Sequence, residues 1–151
     1  MHTTNGKQSA TRVLVTGAGG VIGHHLVKYL VARGYWVRGV DLKAPEFEES
    51  AAQEFETLDL RRWENTLRAT DSIDEVYNLA ANMGGIGFIE SHKAEIMRDS
   101  SFINLHMIEA ARVNAVKRFL FSSSACIYPQ YLQQNTEVTP LKAEDAYPAD
   151  A

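Results

Sequence analysis

The chain has 151 residues, the size of one ordinary domain, with a normal balance of 45% hydrophobic and 23% charged residues. A net charge of −4 gives no electrostatic grip on nucleic acid or an anionic membrane. No apolar run approaches the roughly 18 residues that a membrane-spanning helix needs. A single cysteine, Cys126, excludes an internal disulfide and fits a reducing compartment, so cytoplasm is the expected location.

Residues 1–10 are polar and have no apolar segment of the kind a signal peptide requires, so they are expected to form a loose tail. Arg12-Val13-Leu14-Val15-Thr16 follows, a short β-branched run apolar on both faces, as in a central parallel strand. Gly17 to Gly23 is glycine-rich. From Val21 to Arg33, the residues Ile22, Leu26, Tyr29, Leu30 and Ala32 recur near helical spacing, and Gly34 stands where a C-terminal cap belongs. Trp36 to Val40 reads as a second strand ending at Asp41, and Leu42 to Gln53, acidic and broken by Pro45, as a loop.

Phe55 to Leu58 is a candidate third strand. Arg62 to Ala69 is a short helix with Trp63 and Leu67 on one side. Glu75 to Ala80 is a fourth strand, and Asn82 to Phe88 a second glycine-rich loop. Ile96 to Val113 predicts a long helix whose apolar stripe is Phe102, Ile103, Met107, Ile108 and Ala111. Phe119-Leu120-Phe121 starts a fifth strand, ending in Ser122-Ser123-Ser124. Alternating strands and helices imply right-handed crossovers and a doubly wound parallel α/β sheet of order 3-2-1-4-5, with ligands at the carboxyl ends of the strands.

Gly17, Gly20 and Gly23 carry the chemistry of the first loop. One glycine allows the tight turn off the strand, one lets backbone approach a pyrophosphate at the helix N-terminus, and one lets helix and strand pack closely. Val21 and Ile22 open the helix. Asp41 ends the next strand 18 residues after Gly23. A carboxylate there can accept both ribose hydroxyls and would repel a 2′-phosphate, which favours NAD over NADP. Asp59, followed by Leu60, admits two readings, an acceptor for the adenine amino group or an N-cap for the helix starting near Arg61. No two of the five histidines pair at metal-ligand spacing, so no metal is expected.

Thr16-Gly17-Ala18-Gly19-Gly20-Val21-Ile22-Gly23, with Asn78-Leu79-Ala80-Ala81 and Ser122-Ser123-Ser124-Ala125, resembles the extended short-chain dehydrogenase/reductase superfamily. Its Rossmann-like domains bind NAD(P), and most members remodel nucleotide sugars. Within it, Ala81-Asn82-Met83-Gly84-Gly85-Ile86-Gly87-Phe88-Ile89, Met107 to Arg112 and Ser123-Ser124-Ala125-Cys126-Ile127-Tyr128-Pro129 look like the GDP-mannose 3,5-epimerase family. The likeness runs from Arg12 to the end of the chain.

The resemblance implies NAD held by Gly17, Gly20, Val21, Ile22, Gly23, Asp41, Asp59, Leu60, Leu79, Ala80 and Ala81. It implies a nucleotide sugar, GDP-mannose, at Met83, Gly84, Gly85, Ser124, Ala125 and Cys126. Ser124 resembles the serine that hydrogen-bonds the hydroxyl being oxidised at carbon 4, and Cys126 the acid/base cysteine that, with a lysine expected beyond Ala151, exchanges protons at carbons 3 and 5 across the ring faces. If the chain stays extended, Ser124 and Cys126 point to the same side. Outside the motif, a lone cysteine is usually a small buried hydrophobe, and the serine run a plain strand end. Tyr128 is expected to pack rather than react.

Other extended-branch chemistries, such as a 4-epimerase or a 4,6-dehydratase, are the alternative, against which Cys126 argues. The superfamily's Tyr-x-x-x-Lys motif is expected beyond Ala151, because Pro148 follows Tyr147 and no lysine follows Lys142. On that reading residues 11–151 form an incomplete NAD-binding domain that binds NAD without turnover, and the parent is a homodimer. Ser100 stands where the family usually carries an asparagine early in its long helix.

Overall fold

A computed structural model of the chain describes residues 10–46, 48–124, 127–132 and 140–147. These fall into two units, Met1–Phe121 and Ser122–Ala151. The first unit runs β1 (Arg12–Thr16), α1 (Val21–Ala32), β2 (Trp36–Asp41), β3 (Glu54–Thr57), α2 (Trp63–Thr70), β4 (Glu75–Asn78), α3 (Ile86–Ser91), α4 (Lys93–Val113) and β5 (Arg118–Phe121). The second contains two short 3-10 turns, Gln130–Leu132 and Ala143–Ala146.

All five strands are parallel, in the order β3-β2-β1-β4-β5. This is the sequence-derived topology. β1 is central, with Val13, Leu14, Val15 and Thr16 fully buried. Its side chains alternate between faces. Leu14 joins Val40, Val76, Ala69, Ile103 and Met107 under α2 and α4. Val13 and Val15 join Val37, Val27 and Leu30 under α1. β3 lies a residue earlier than Phe55–Leu58, and β4 ends at Asn78 rather than Ala80.

The helices turn differently from the expected stripes. In α1 the buried residues are Gly23, His24, Val27 and Leu30, while Ile22 is 75% and Tyr29 52% exposed. In α4, Ile103, Met107, Ala110 and Ala111 are buried, but Phe102 and Ile108 face out. α2 buries Thr66, Ala69 and Thr70, leaving Trp63 and Leu67 half-buried. The buried face is set by the sheet beneath, and an apolar residue a third of a turn away lies beyond its reach.

α1 ends in a Schellman motif. Tyr35 donates to Leu30 O (3.2 Å) and Gly34 to Val31 O (3.0 Å), with Gly34 at φ +83°. The cap residue is thus Arg33, and Gly34 lies one position beyond it. At the C-terminus of α2, the buried Arg38 of β2 donates Nη1 to the carbonyls of Ala69 and Asp71, both at 3.0 Å. It thereby satisfies acceptors that a helix end leaves open.

The second glycine-rich loop is shorter than expected. The chain turns helical at Ile86, with Phe88 and Ile89 donating to Gly85 O. The Phe88 ring stacks on His92 at 4.4 Å, and Ser91 Oγ donates to Gly87 O.

Candidate functional site

A cleft of about 430 Å³ opens at the carboxyl ends of the strands in the first unit. It is lined by the loops that leave β1, β2, β3 and β4 and by Asp99 and Ile103 of α4. Of the residues expected to hold a dinucleotide, Gly17, Gly20, Asp41, Asp59, Leu60, Leu79, Ala80 and Ala81 line it together. Met83 lines it too, and is 64% exposed.

The loop after β1 is shaped by its glycines. Gly17 has φ +69°, a region that disfavours any side chain. At Gly23 an added Cβ would lie 2.1 Å from Gly17 O, so helix and turn touch backbone to backbone. Gly20 differs, since a Cβ there would meet only Gly17 O, at 3.4 Å. Nothing within the chain demands glycine at 20. Its bareness leaves the backbone open to a ligand.

Gly20 is also the N-cap of α1, where no side chain caps the first turn and no acidic residue sits. A twelve-residue helix with its first N–H groups uncapped attracts an anion such as a diphosphate. Val21 and Ile22 in that turn are three-quarters exposed.

Asp41 closes the cleft from β2. Its Oδ2 accepts the Gly19 N–H at 2.9 Å and its Oδ1 the Leu42 N–H at 2.6 Å. Gly19 has no room for a Cβ, which would lie 2.3 Å from Lys43 O.

Thr16 ties the floor together. Its Oγ1 accepts the N–H groups of Leu79 and Ala80, both at 3.0 Å, and donates to Asn78 Oδ1 at 2.9 Å. Asn78 in turn donates its amide to Asn104 Oδ1 of α4 at 2.9 Å. The amide link to the long helix therefore comes from Asn104, one turn after the half-buried Ser100.

Asp59 does not cap α2, whose N-cap is Arg62. Its Oδ1 accepts the backbone N–H (3.0 Å) and Nε (2.9 Å) of Arg61, and its Oδ2 accepts Arg61 Nη2 at 2.9 Å. The Arg61 guanidinium holds the Asp59 carboxyl below its ordinary pKa. Arg61 Nη1 reaches Asp99 Oδ2 at 2.9 Å, and Asn82 Nδ2 donates to the same oxygen at 3.2 Å. Arg98 Nε donates to Asp99 Oδ1 at 2.9 Å, and this bond first, then Arg61, lowers the Asp99 pKa against its burial. Neither Arg61 nor Asp99 was singled out from sequence, and their separation of 38 positions leaves no local signal.

In the second unit Ser122, Ser123 and Ser124 are exposed and Tyr128 is half-buried. Ile127 donates its N–H to Ser124 O at 3.3 Å. Ala125 and Cys126 lie outside the described residues. Gly84 and Gly85 precede α3, and a Cβ on Gly85 would meet nothing within 4 Å. Among the described residues no group of three or more His, Cys, Asp or Glu is assembled that could hold a metal. No helix of the described residues is long and apolar enough to cross a membrane.

The family model described as "NAD dependent epimerase/dehydratase family" matches residues 13–150. The chain belongs to this family. Among its relatives, GDP-mannose 3,5-epimerase 1 of Oryza sativa subsp. indica is 47% identical over 141 residues, 92% of this chain and 37% of that protein. GDP-mannose 3,5-epimerase of Arabidopsis thaliana is 45% identical over the same shares. The chain thus spans little more than a third of the length of these curated relatives. Among solved structures, the UDP-glucose 4-epimerase of Thermus thermophilus in complex with NAD superposes with a TM-score of 0.67 at 30% identity, covering 76% of this chain and 38% of that one. The structural likeness covers the parallel sheet of this chain.

Proposed function

We propose that the protein acts as an NAD-dependent nucleotide-sugar epimerase of the GDP-mannose 3,5-epimerase kind. The observation that carries the reading is one cleft in which the uncapped start of α1, the bare backbone of Gly20 and the carboxylate of Asp41 meet. This is a cradle for a diphosphate next to an acceptor for ribose hydroxyls. The 47% identity to a GDP-mannose 3,5-epimerase supports the sugar chemistry.

Gly17, Gly20, Val21, Ile22 and Gly23 hold the pyrophosphate, Asp41 the adenosine ribose, Asp59 and Leu60 the adenine, and Leu79 to Ala81 the floor. NAD supplies, when bound, a reversible hydride acceptor for carbon 4 of the sugar. Ser124 hydrogen-bonds the hydroxyl on that carbon. Met83, Gly84, Gly85, Ser124 and Ala125 border the sugar. Cys126 is one of two acid/base groups, a cysteine and a lysine on opposite ring faces, that move protons at carbons 3 and 5, whose C–H bonds are acidic only while carbon 4 is a carbonyl. A thiol with a reference pKa of about 8.5 suits that task once the site lowers it. The reading carries with it a cytoplasmic homodimer, which size-exclusion chromatography with light scattering checks for assembly.

Deuterium uptake from solvent into GDP-mannose tests it, on the full-length natural protein with Cys126→Ser alongside. Uptake at carbons 3 and 5, suppressed in the variant, is the expected result. Absence of uptake with NAD still bound would redirect the assignment to another nucleotide sugar, as in a 4-epimerase or 4,6-dehydratase.

A further inference from the structure

We propose that Arg61 is a positioning residue for the nucleobase end of the dinucleotide, holding the Asp59 carboxylate in a single orientation while Asp99 anchors Arg61 from α4. The proposal rests on the reading above, which places the adenine amino group at Asp59.

A carboxylate offers about four acceptor positions. Arg61 fills three of those on Asp59, two on Oδ1 from its backbone N–H and Nε, and one on Oδ2 from Nη2. One position on Oδ2 is left for a ligand. A single ionised acceptor accepts an exocyclic amino group and repels a carbonyl oxygen. Asp59 is thereby turned from a rotatable side chain into a fixed reader of the base.

Arg61 is itself fixed. Its Nη1 ends on Asp99, a carboxylate buried to 6% exposure. Asp99 is held in place by Arg98 Nε and Asn82 Nδ2. Swinging Arg61 away would strip a buried carboxylate of a cation, which is costly. The planar guanidinium fork, engaged on Asp59 by one edge and on Asp99 by the remaining nitrogen, transmits the position of α4 to the loop after β3. Arg61 is the one cation among the described residues lining the cleft, and both its partners are carboxylates. Its charge is spent inside the protein, and its part in binding is to orient Asp59.

The test is equilibrium binding of NAD and of nicotinamide hypoxanthine dinucleotide, which carries a carbonyl in place of the amino group, by the intact protein stripped of nucleotide. The wild type is expected to bind NAD about ten- to a hundredfold more tightly, the worth of one hydrogen bond to a charged group. Arg61→Gln and Asp99→Asn are expected to reduce that preference to within about threefold, with affinity for the hypoxanthine analogue little changed. Arg61→Lys, which keeps the charge and loses the fork, reads the same ratio should either variant fail to fold.

A purely structural role would weaken both ligands alike and leave the ratio intact, and that result overturns the proposal. A wild-type ratio near one overturns it as well, while NAD binding would still uphold the functional reading. Binding of neither dinucleotide would bring down both.

Discussion

The Asp41 carboxylate reaches across the mouth of the glycine turn and accepts the Gly19 N–H at 2.9 Å. The group expected to grip the ribose therefore also fixes the loop expected to grip the pyrophosphate. Asp41→Asn keeps the shape but turns one acceptor into a donor facing the Gly19 or Leu42 N–H. It is expected to weaken NAD binding about ten- to a hundredfold and to narrow the preference for NAD over NADP. Isothermal titration with both dinucleotides reads the two effects separately.

Two glycines in one turn make opposite predictions. Gly23→Ala drives a Cβ into the Gly17 carbonyl, so helix and strand must separate. A loss of about 1–3 kcal/mol in stability is expected from such overpacking, read by urea unfolding. Gly20→Ala meets ordinary contact only, so its expected cost is the smaller one of about 0.5–1 kcal/mol that alanine carries against glycine at an N-cap. Dinucleotide binding is where it should fail, because the new methyl occupies the approach of the pyrophosphate. Tight NAD binding by Gly20→Ala would show that the ligand does not pass over this backbone.

The long helix ends on a residue in the wrong conformation for its type. Ala115 has φ +54° in a Schellman motif closed by Val116 N to Ala111 O at 2.9 Å and Ala115 N to Arg112 O at 3.2 Å. A Cβ in the left-handed region costs about 1–2 kcal/mol, partly offset by the greater freedom of glycine in the unfolded chain. Ala115→Gly is therefore expected to stabilise the protein by about 1 kcal/mol, raising Tm by a few degrees. A lower Tm would mean that the strain is relieved elsewhere.

Acid should loosen the loop after β2. Glu48 Oε1 accepts from Lys28 Nζ and His24 Nε2, both at 2.8 Å, and these bonds lower its pKa to about 2. A carboxyl whose folded pKa is depressed stabilises the fold above its unfolded value, 4.5, and loses that contribution as pH falls through about 2. Glu48→Gln lacks the titration. The Tm difference between wild type and variant is expected to be constant above about pH 5 and to vanish near pH 2. A difference that stays constant down to pH 2 would show that the pair adds nothing.

Much of the architecture was legible because parallel strands and their crossovers leave local marks. The strand at Arg12–Thr16 is apolar on both faces, and only a central strand buries both. Gly17 and Gly23 stand where the turn needs a positive φ and a backbone contact, so their spacing carried tertiary information. Helix faces were less legible. Periodicity shows which residues share a side, but Phe102 and Ile108 satisfied the period in α4 and lie outside the sheet's footprint. The turn at Gly85 was hidden because Ile86 to Ser91 is held by Phe88 on His92 and Ser91 on its own backbone, contacts with no periodic signature.

By itself the sequence determined the strand–helix alternation that implies the sheet order, the glycine turn and the place of Asp41, because each leaves its mark in residues close along the chain. Tertiary structure alone decided that Arg61 and Asp99 meet over Asp59, that Thr16 holds Leu79 and Ala80, and that Asn104 reaches Asn78. Those pairs are 26 to 64 positions apart. Their polar groups have no preferred spacing, and they meet because packing β1 between β2 and β4 under α4 brings those loops to one end of the sheet.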